Sequence, residues 1–419
     1  MRNNKKRSNG ITLIALVVTI IVLLILAGIS IQMLTGDNGI LQRAAEAKEN
    51  TEQSQLEEQR RLASMEAATN LTETVYNDGE KEIKIPSGFA PTGIEGERTV
   101  EDGLVITDSK RNEFVWVEVP NDGTGPDYTG VEENNNIDFL KIAKALAIYS
   151  GSTLSNNPTS LADHLPPADK VGKDYTNEYK DVLKSIYQNG GFWVGRYETG
   201  IQGTENATTS ARDFGTDYYT EHPTEGNVAV IKENVQPYTW VRWGQAQTLA
   251  QGFLPVTNNS NHANLLMGVQ WDLVLKFLGK SGDTDSREWG NYSGSVFSLK
   301  PGSHYAKFSN YNNLSTTWKA YNEDEAGFIE ASEKKSLSLG NGVLYTTGAN
   351  TNQNSKKNIC DIAGNVWEWT IERTSNLDSP CSCRGGFCGN TGTVVPASGR
   401  TNSSTSSSSG VFGFRVSLY

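Results

Sequence analysis

Hydrophobic positions recur along the chain in three different ways. From Ile11 to Leu34 the run ITLIALVVTIIVLLILAGISIQML carries no charge. That length is enough to span a bilayer as a helix. The following stretch, ILQRAAEAKENTEQSQLEEQRRLASMEAATNL, is dense in helix formers and holds neither Pro nor Gly. Its apolar residues, Leu41, Ala44, Ala45, Leu56, Leu62, Ala63 and Met65, make only a weak stripe, which predicts a solvated helical stalk. From about Thr74 onward the apolar residues fall into short runs: KEIKIP, GLVIT, EFVWVEVP, GFWVGRYETG and VAVIK predict strands. Helical spacing returns in FLKIAKALAIYS and NLLMGVQWDLVLKFLG. Irregular stretches such as 280–312 separate these elements, and no repeat of fixed period is present. The fold class expected is α+β: a basic leader at 1–10, a transmembrane helix at 11–34, a helical stalk at 35–73, and one loop-rich domain over 80–419.

The leader MRNNKKRSNG contains four basic residues and no acid. It should stay in the cytoplasm, giving a single-pass cell-membrane protein with its C-terminal domain outside. The apolar run is too long for a secretory signal peptide, and no A-x-A site follows it. A short basic leader ending in Gly10, followed by a β-branched-rich apolar run, resembles the N-terminus of type IV pilins and pseudopilins. That resemblance implies cleavage by a prepilin peptidase between Gly10 and Ile11. The fifth mature position is Ala15, where pilins usually carry Glu, which argues for a role outside a filament. A plain anchor accounts for the hydrophobicity and charge as well.

Composition narrows the function. Hydrophobic residues make up 37% and charged residues 20% of the 419, a globular balance. A net charge of −11 excludes nucleic acid as a partner. The four cysteines, Cys360, Cys381, Cys383 and Cys388, are too few for a disulfide framework, and both a disulfide among them and four free thiols stay open. His164, His222, His262 and His304 are scattered as loop decoration without metal-ligand spacing. No nucleophile elbow, P-loop or HExxH pattern occurs.

The ordered trio NICDIAGNVWEWTIER, CRGGF and GFRV resembles the formylglycine-generating enzyme, or sulfatase-modifying-factor, domain, an elaborated relative of the C-type lectin fold. EFVWVEV, FWVGRYETG, YTWVRWGQAQTLA and the NLLMGVQWDLVLKFL helix fit the same order. The resemblance implies core anchoring for Trp367 and Trp369. It also implies calcium held by the side chains of Asp361 and Glu368 and the carbonyls of Gly364 and Val366. The bland alternative pairs Glu368 with a nearby Arg. Oxidases of the family hold copper on two cysteines beyond the Gly-Gly. Here Cys383 precedes Gly385 and Gly386 and only Cys388 follows, so copper and catalytic residues are not expected.

Between RGG and GFR lies FCGNTGTVVPASGRTNSSTSSSSGVF. Its serine run has the composition of a linker, but the apolar residues around it do not. PAS and Arg400 stand as islands among small or odd residues. The layout resembles the variable region of proteins diversified by retroelements, in which template adenines are mutated. AAY codons so altered cannot yield Lys, Glu, Gln, Met or Trp, and residues 387–412 contain none of the five. The resemblance implies a variable region at 383–419, with Phe387, Cys388, Gly389, Asn390, Val394, Val395, Gly399, Thr401, Asn402, Ser403, Ser404, Val411 and Phe412 facing a ligand, an unknown extracellular protein or cell-surface group. Two other classes remain alternatives: a formylglycine-generating oxidase with displaced cysteines, and a minor pilin or pseudopilin.

Overall fold

A computed structural model describes residues 17–27, 40–152, 158–204, 228–254, 262–295, 299–310, 313–314, 318–321, 342–350 and 357–419. Gly10, Ile11, Ala15 and His222 lie outside the described residues, as do the two ends of the apolar run. The chain divides into two compact units between Gln59 and Arg60.

In the first unit, helix α1 (17–27) covers the middle of the apolar run and is exposed along its length. Among the described residues no helix is long and apolar enough to cross a membrane. Helix α2 (Ile40–Thr69) is exposed throughout 41–59, as its polar composition requires. From Arg60 it belongs to the second unit, and the expectation of a solvated spacer fails there. Ala63 and Ala67 are buried, and Arg60 donates to Glu113 at 2.8 Å and to Glu97 at 3.1 Å. Arg196 donates to the same two carboxylates at 3.0 and 2.7 Å. Small side chains and a paired guanidinium let this last part of the helix lie flat on the domain.

The second unit is mixed α+β. Strands β1 (Thr74–Asn77) and β2 (Glu82–Ile85) form a hairpin that buries Ile83 and Ile85 and exposes Glu82 and Lys84. Next come β3 (Phe89–Pro91), β4 (Val105–Asp108), β5 (Glu113–Glu118) and the small hairpin β6 (Glu132–Glu133) and β7 (Asn136–Ile137). Helix α3 (Phe139–Ser150) starts at Asp138, whose side chain accepts from the Leu140 and Lys141 amides, and stops at Gly151 with φ 69°. Then follow α4 (Ala168–Val171), α5 (Thr176–Asn189), β8 (Gly191–Gly195), β9 (Gly200–Ile201), β10 (Ala229–Val230), α6 (Trp243–Gln251), β11 (Ala263–Leu265) and α7 (Gly268–Phe277). Strand β12 (His304–Asn310) pairs with β13 (Asn313–Leu314), β14 (Lys319–Ala320) and β15 (Gly342–Tyr345). The chain then forms β16 (Trp367–Arg373), β17 (Cys381–Arg384), β18 (Arg400–Ser403), β19 (Phe412–Phe414) and β20 (Val416–Leu418).

Two sheets position the C-terminal stretch. The larger has the order β11-β20-β8-β5-β4-β3 and is antiparallel throughout. Every residue of β8 and all but one of β5 are buried, so both faces are covered; hence FVWV and FWVG read as continuous apolar runs. Strand β20 sits inside this sheet, with Leu418 opposite both Ala263 and Trp193. The second sheet has the order β18-β17-β16-β19. Here β16 runs antiparallel to β17 and parallel to β19, with Trp369 opposite Cys383 on one side and Phe414 on the other. The stretch 385–411 therefore leaves from β17, returns as β18, and ends in strands belonging to both sheets.

Candidate binding surface

The DIAGNVWEW turn is built on left-handed backbone. Asp361, Gly364 and Asn365 have φ of 61°, 77° and 57°. A Cβ on Gly364 would lie 2.1 Å from the Asn291 carbonyl oxygen, so this position requires glycine on two counts. Asn365 is the hub of the turn. Its Oδ1 accepts from Asn291 Nδ2 at 2.9 Å and from the Tyr345 amide at 3.2 Å, while its Nδ2 donates to Glu198 and to the Tyr345 carbonyl. Trp367 and Trp369 are buried, and the Trp369 indole N–H donates to the Val241 carbonyl at 3.0 Å.

The four residues read as calcium donors fall in and beside this turn, where both carboxylates already have protein partners. Glu368 accepts from Arg415 with both oxygens, at 3.0 and 2.8 Å. Asp361 Oδ2 accepts from the Gly348 amide at 2.7 Å. Gly364 donates its amide to the Gly385 carbonyl at 2.9 Å, and Val366 is buried. Burial pushes Asp361 up to about 7, against the Gly348 amide and Arg415. Burial also raises Glu368, opposed by Arg415. Among the described residues no group of three or more His, Cys, Asp or Glu is arranged to hold a metal ion.

Beyond this turn the chain reaches Arg384, Gly385 and Gly386. The two glycines have φ of 90° and 78°, and the Gly385 carbonyl accepts from the Tyr292 hydroxyl at 2.5 Å. These consecutive left-handed residues aim the chain inward, which corrects part of the expected ligand face. Phe387 and Cys388 are 0% and 1% exposed, and Gly389 is buried. The Cys388 amide donates to the Asn365 carbonyl at 3.0 Å. Val411 is likewise buried, at the entry to β19. These four positions pack the domain and do not face a ligand.

The other expected positions reach the surface. Val394 is 79% exposed. Asn402 is exposed, and Asn390, Val395, Gly399, Thr401, Ser403, Ser404 and Phe412 are half-buried. The backbone beneath them is fixed by antiparallel pairing of β18 with β17. The Trp240 amide donates to the Ser409 carbonyl at 3.0 Å, and the Trp367 amide to the Val411 carbonyl at 2.7 Å. Side-chain bonds in the serine run are local: Ser404 meets Ser406 and Ser407, and Ser409 accepts from the Val411 amide.

Two islands in the stretch are anchored. Ala397 is buried; its carbonyl accepts from the Trp271 indole at 3.0 Å and its amide donates to Ser286 Oγ at 2.9 Å. Arg400 Nε donates to Glu372 at 2.6 Å and its Nη2 to Asp272 at 2.8 Å. Arg384, fully buried, donates to the same two carboxylates at 2.8 and 2.5 Å. Burial works against the Asp272 charge, but Arg384 and Arg400 outweigh it and hold its carboxyl below the usual range. Asp272 and Glu372 were missed in the sequence. The signal was there: a lone carboxylate inside the apolar helix NLLMGVQWDLVLKFL has to find a cation.

The four cysteines are buried thiols, not joined in disulfides. Burial pushes the Cys360 and Cys381 thiols up to about 12 and raises Cys383 well above its ordinary value. Two histidines depart from loop decoration: His164 is buried with Nδ1 2.8 Å from the Tyr179 hydroxyl, and His304 is buried in β12. A cleft of about 720 Å³ opens elsewhere, among Asp108, Lys110, Asn112, Gln202, Val230 and Phe253.

No protein-family model and no curated protein matches the chain. Among solved structures it is similar to PvdO from Pseudomonas aeruginosa, at 12% identity and a TM-score of 0.28, over 82% of this chain and 97% of that one. It is also similar to Treponema denticola variable protein 1, at 12% identity and a TM-score of 0.20, over 82% of this chain and 98% of that one.

Proposed function

We propose that this chain is a ligand-binding protein, not an enzyme, that displays a variable surface from 390 to 412 on a C-type lectin-like domain. In this reading the apolar N-terminal segment anchors it in the cell membrane with the domain outside. The observation that carries the reading is a division of labour inside one stretch. Ala397 and Arg400 are tied to fixed elements, while the side chains of the serine run bond only locally over a backbone held by β17, Trp240 and Trp367. A surface that must accept many side chains needs its backbone held by residues outside the changing set. An ordinary linker has no use for such anchoring. The copper-oxidase alternative needs two cysteines beyond Gly385 and Gly386, and only Cys388 follows them in the sequence.

The test is sequencing of the locus from many cells of one culture. The reading expects a near-copy of the region encoding 383–419, differing at adenines, beside a reverse transcriptase gene. It also expects variation at 390, 394, 395, 399, 401–404 and 412 with Ala397 and Arg400 constant. An invariant locus with no template would remove the diversified-binder reading.

A further inference from the structure

We propose that Arg400 is a positioning residue for this surface: through Asp272 and Glu372 it fixes the register of β18, whatever side chains follow it. The proposal rests on the reading of this stretch as a binding surface. Among the described residues strand β18 lies at the edge of its sheet and pairs with β17 alone. An edge strand of small polar residues specifies its register weakly, because a slip by one residue buries and exposes much the same groups. Thr401, Asn402 and Ser403 are such residues, none of them buried.

Arg400 breaks that degeneracy. In the β17–β18 pairing it stands directly opposite Arg384. Two guanidiniums facing each other across strands repel. Here Glu372 on β16 and Asp272 on α7 each accept from both, closing a ring of two cations and two anions. Ser152 Oγ donates to Asp272 at 2.6 Å and completes its shell. Glu372 is held in place by close packing, since a Cβ on Gly268 at the start of α7 would lie 2.5 Å from its carboxyl carbon. A slip of one residue would set Thr401 opposite Arg384 and turn the Arg400 guanidinium to the other face of the sheet. Both carboxylates would then keep one cation instead of two. The register of β18 is thus encoded at a single position, outside the serine run and beneath the exposed surface.

Hydrogen–deuterium exchange on the full-length protein tests this, comparing wild type, Arg400→Ser, Arg400→Lys and the surface control Asn402→Ser. Arg400→Ser is expected to speed amide exchange across 401–404 about tenfold or more while β5 and β8 exchange at wild-type rates. Arg400→Lys, which keeps the charge but not the two-pronged reach, is expected to give a smaller rise at the same amides. Asn402→Ser is expected to leave amide protection across 401–404 at the wild-type level. Unchanged exchange at 401–404 in Arg400→Ser overturns the proposal, and so does an equal rise in β5 and β8. If Arg400→Ser does not fold, Arg400→Lys decides by the same criterion: a rise confined to 401–404 supports the proposal, and a rise everywhere or nowhere overturns it. The exchange result does not depend on whether the locus is diversified, so the two readings fail separately.

Discussion

Replacing Arg415 by Met should be among the most damaging single changes in the domain. Arg415 lies between β19 and β20 and is 1% exposed. Its guanidinium makes four bonds: two to Glu368, one to the Gly195 carbonyl and one to the Cys360 carbonyl, the last two both at 2.8 Å. Methionine fills much of the same volume but leaves Glu368 buried without its cation. Removing one partner of a buried pair costs about 3–5 kcal/mol. The two orphaned carbonyls add to that. For a unit of this size each kcal/mol lowers Tm by roughly 2 °C, so a fall of about 6–10 °C is expected. Thermal and urea unfolding followed by tryptophan fluorescence would measure it. The double variant Arg415→Met with Glu368→Gln should recover part of the loss, because an amide tolerates the site better than a lone carboxylate. A single-variant loss below about 1 kcal/mol, or a double variant that is simply the sum of the two singles, would refute the argument that this pair is held by mutual compensation.

Three further outcomes are expected. Gly364→Ala sets a Cβ against the Asn291 carbonyl at φ 77°, and should lower Tm by more than Arg415→Met or prevent folding; a soluble variant with wild-type Tm would contradict the packing. Chelation by EDTA should leave Tm unchanged, since Glu368 is held by Arg415; a fall that calcium reverses would return the turn to metal binding. Asp272 carries a lowered pKa against an ordinary 3.8, so its charge contributes fully above about pH 4 and loses that contribution as pH falls through the lowered value. The loss of stability in Asp272→Asn should therefore be largest near pH 7 and shrink below pH 4, a trend that unfolding curves across pH would check.

Elements with strong periodicity were legible. Helix α3 matches FLKIAKALAIYS residue for residue, with Asp138 and Gly151 marking its ends. GFWVGRYETG reads as one strand, but its first five residues form β8 and its last, Gly200, opens the separate strand β9. The stretch 385–412 was legible as composition and not as geometry. Phe387 and Cys388 read as exposed oddities, because nothing local reports that two left-handed glycines point the next residues into the core. Arg400 could be seen as an island, but its partners lie 28 and 128 positions away, on a strand and a helix. Pairing across such distances has no local trace beyond the unexplained charge at each end.

The placement of β19 and β20 has a consequence for expression. Both strands lie downstream of residues 387–411, and β20 fills the gap between β11 and β8. A chain that stops or shifts frame anywhere in 387–412 lacks both. It leaves β8 and β11 without their shared neighbour and Glu368 without Arg415. Such a chain cannot complete either sheet and is open to proteolysis. Integrity of the reading frame across 387–412 is thereby checked by folding itself.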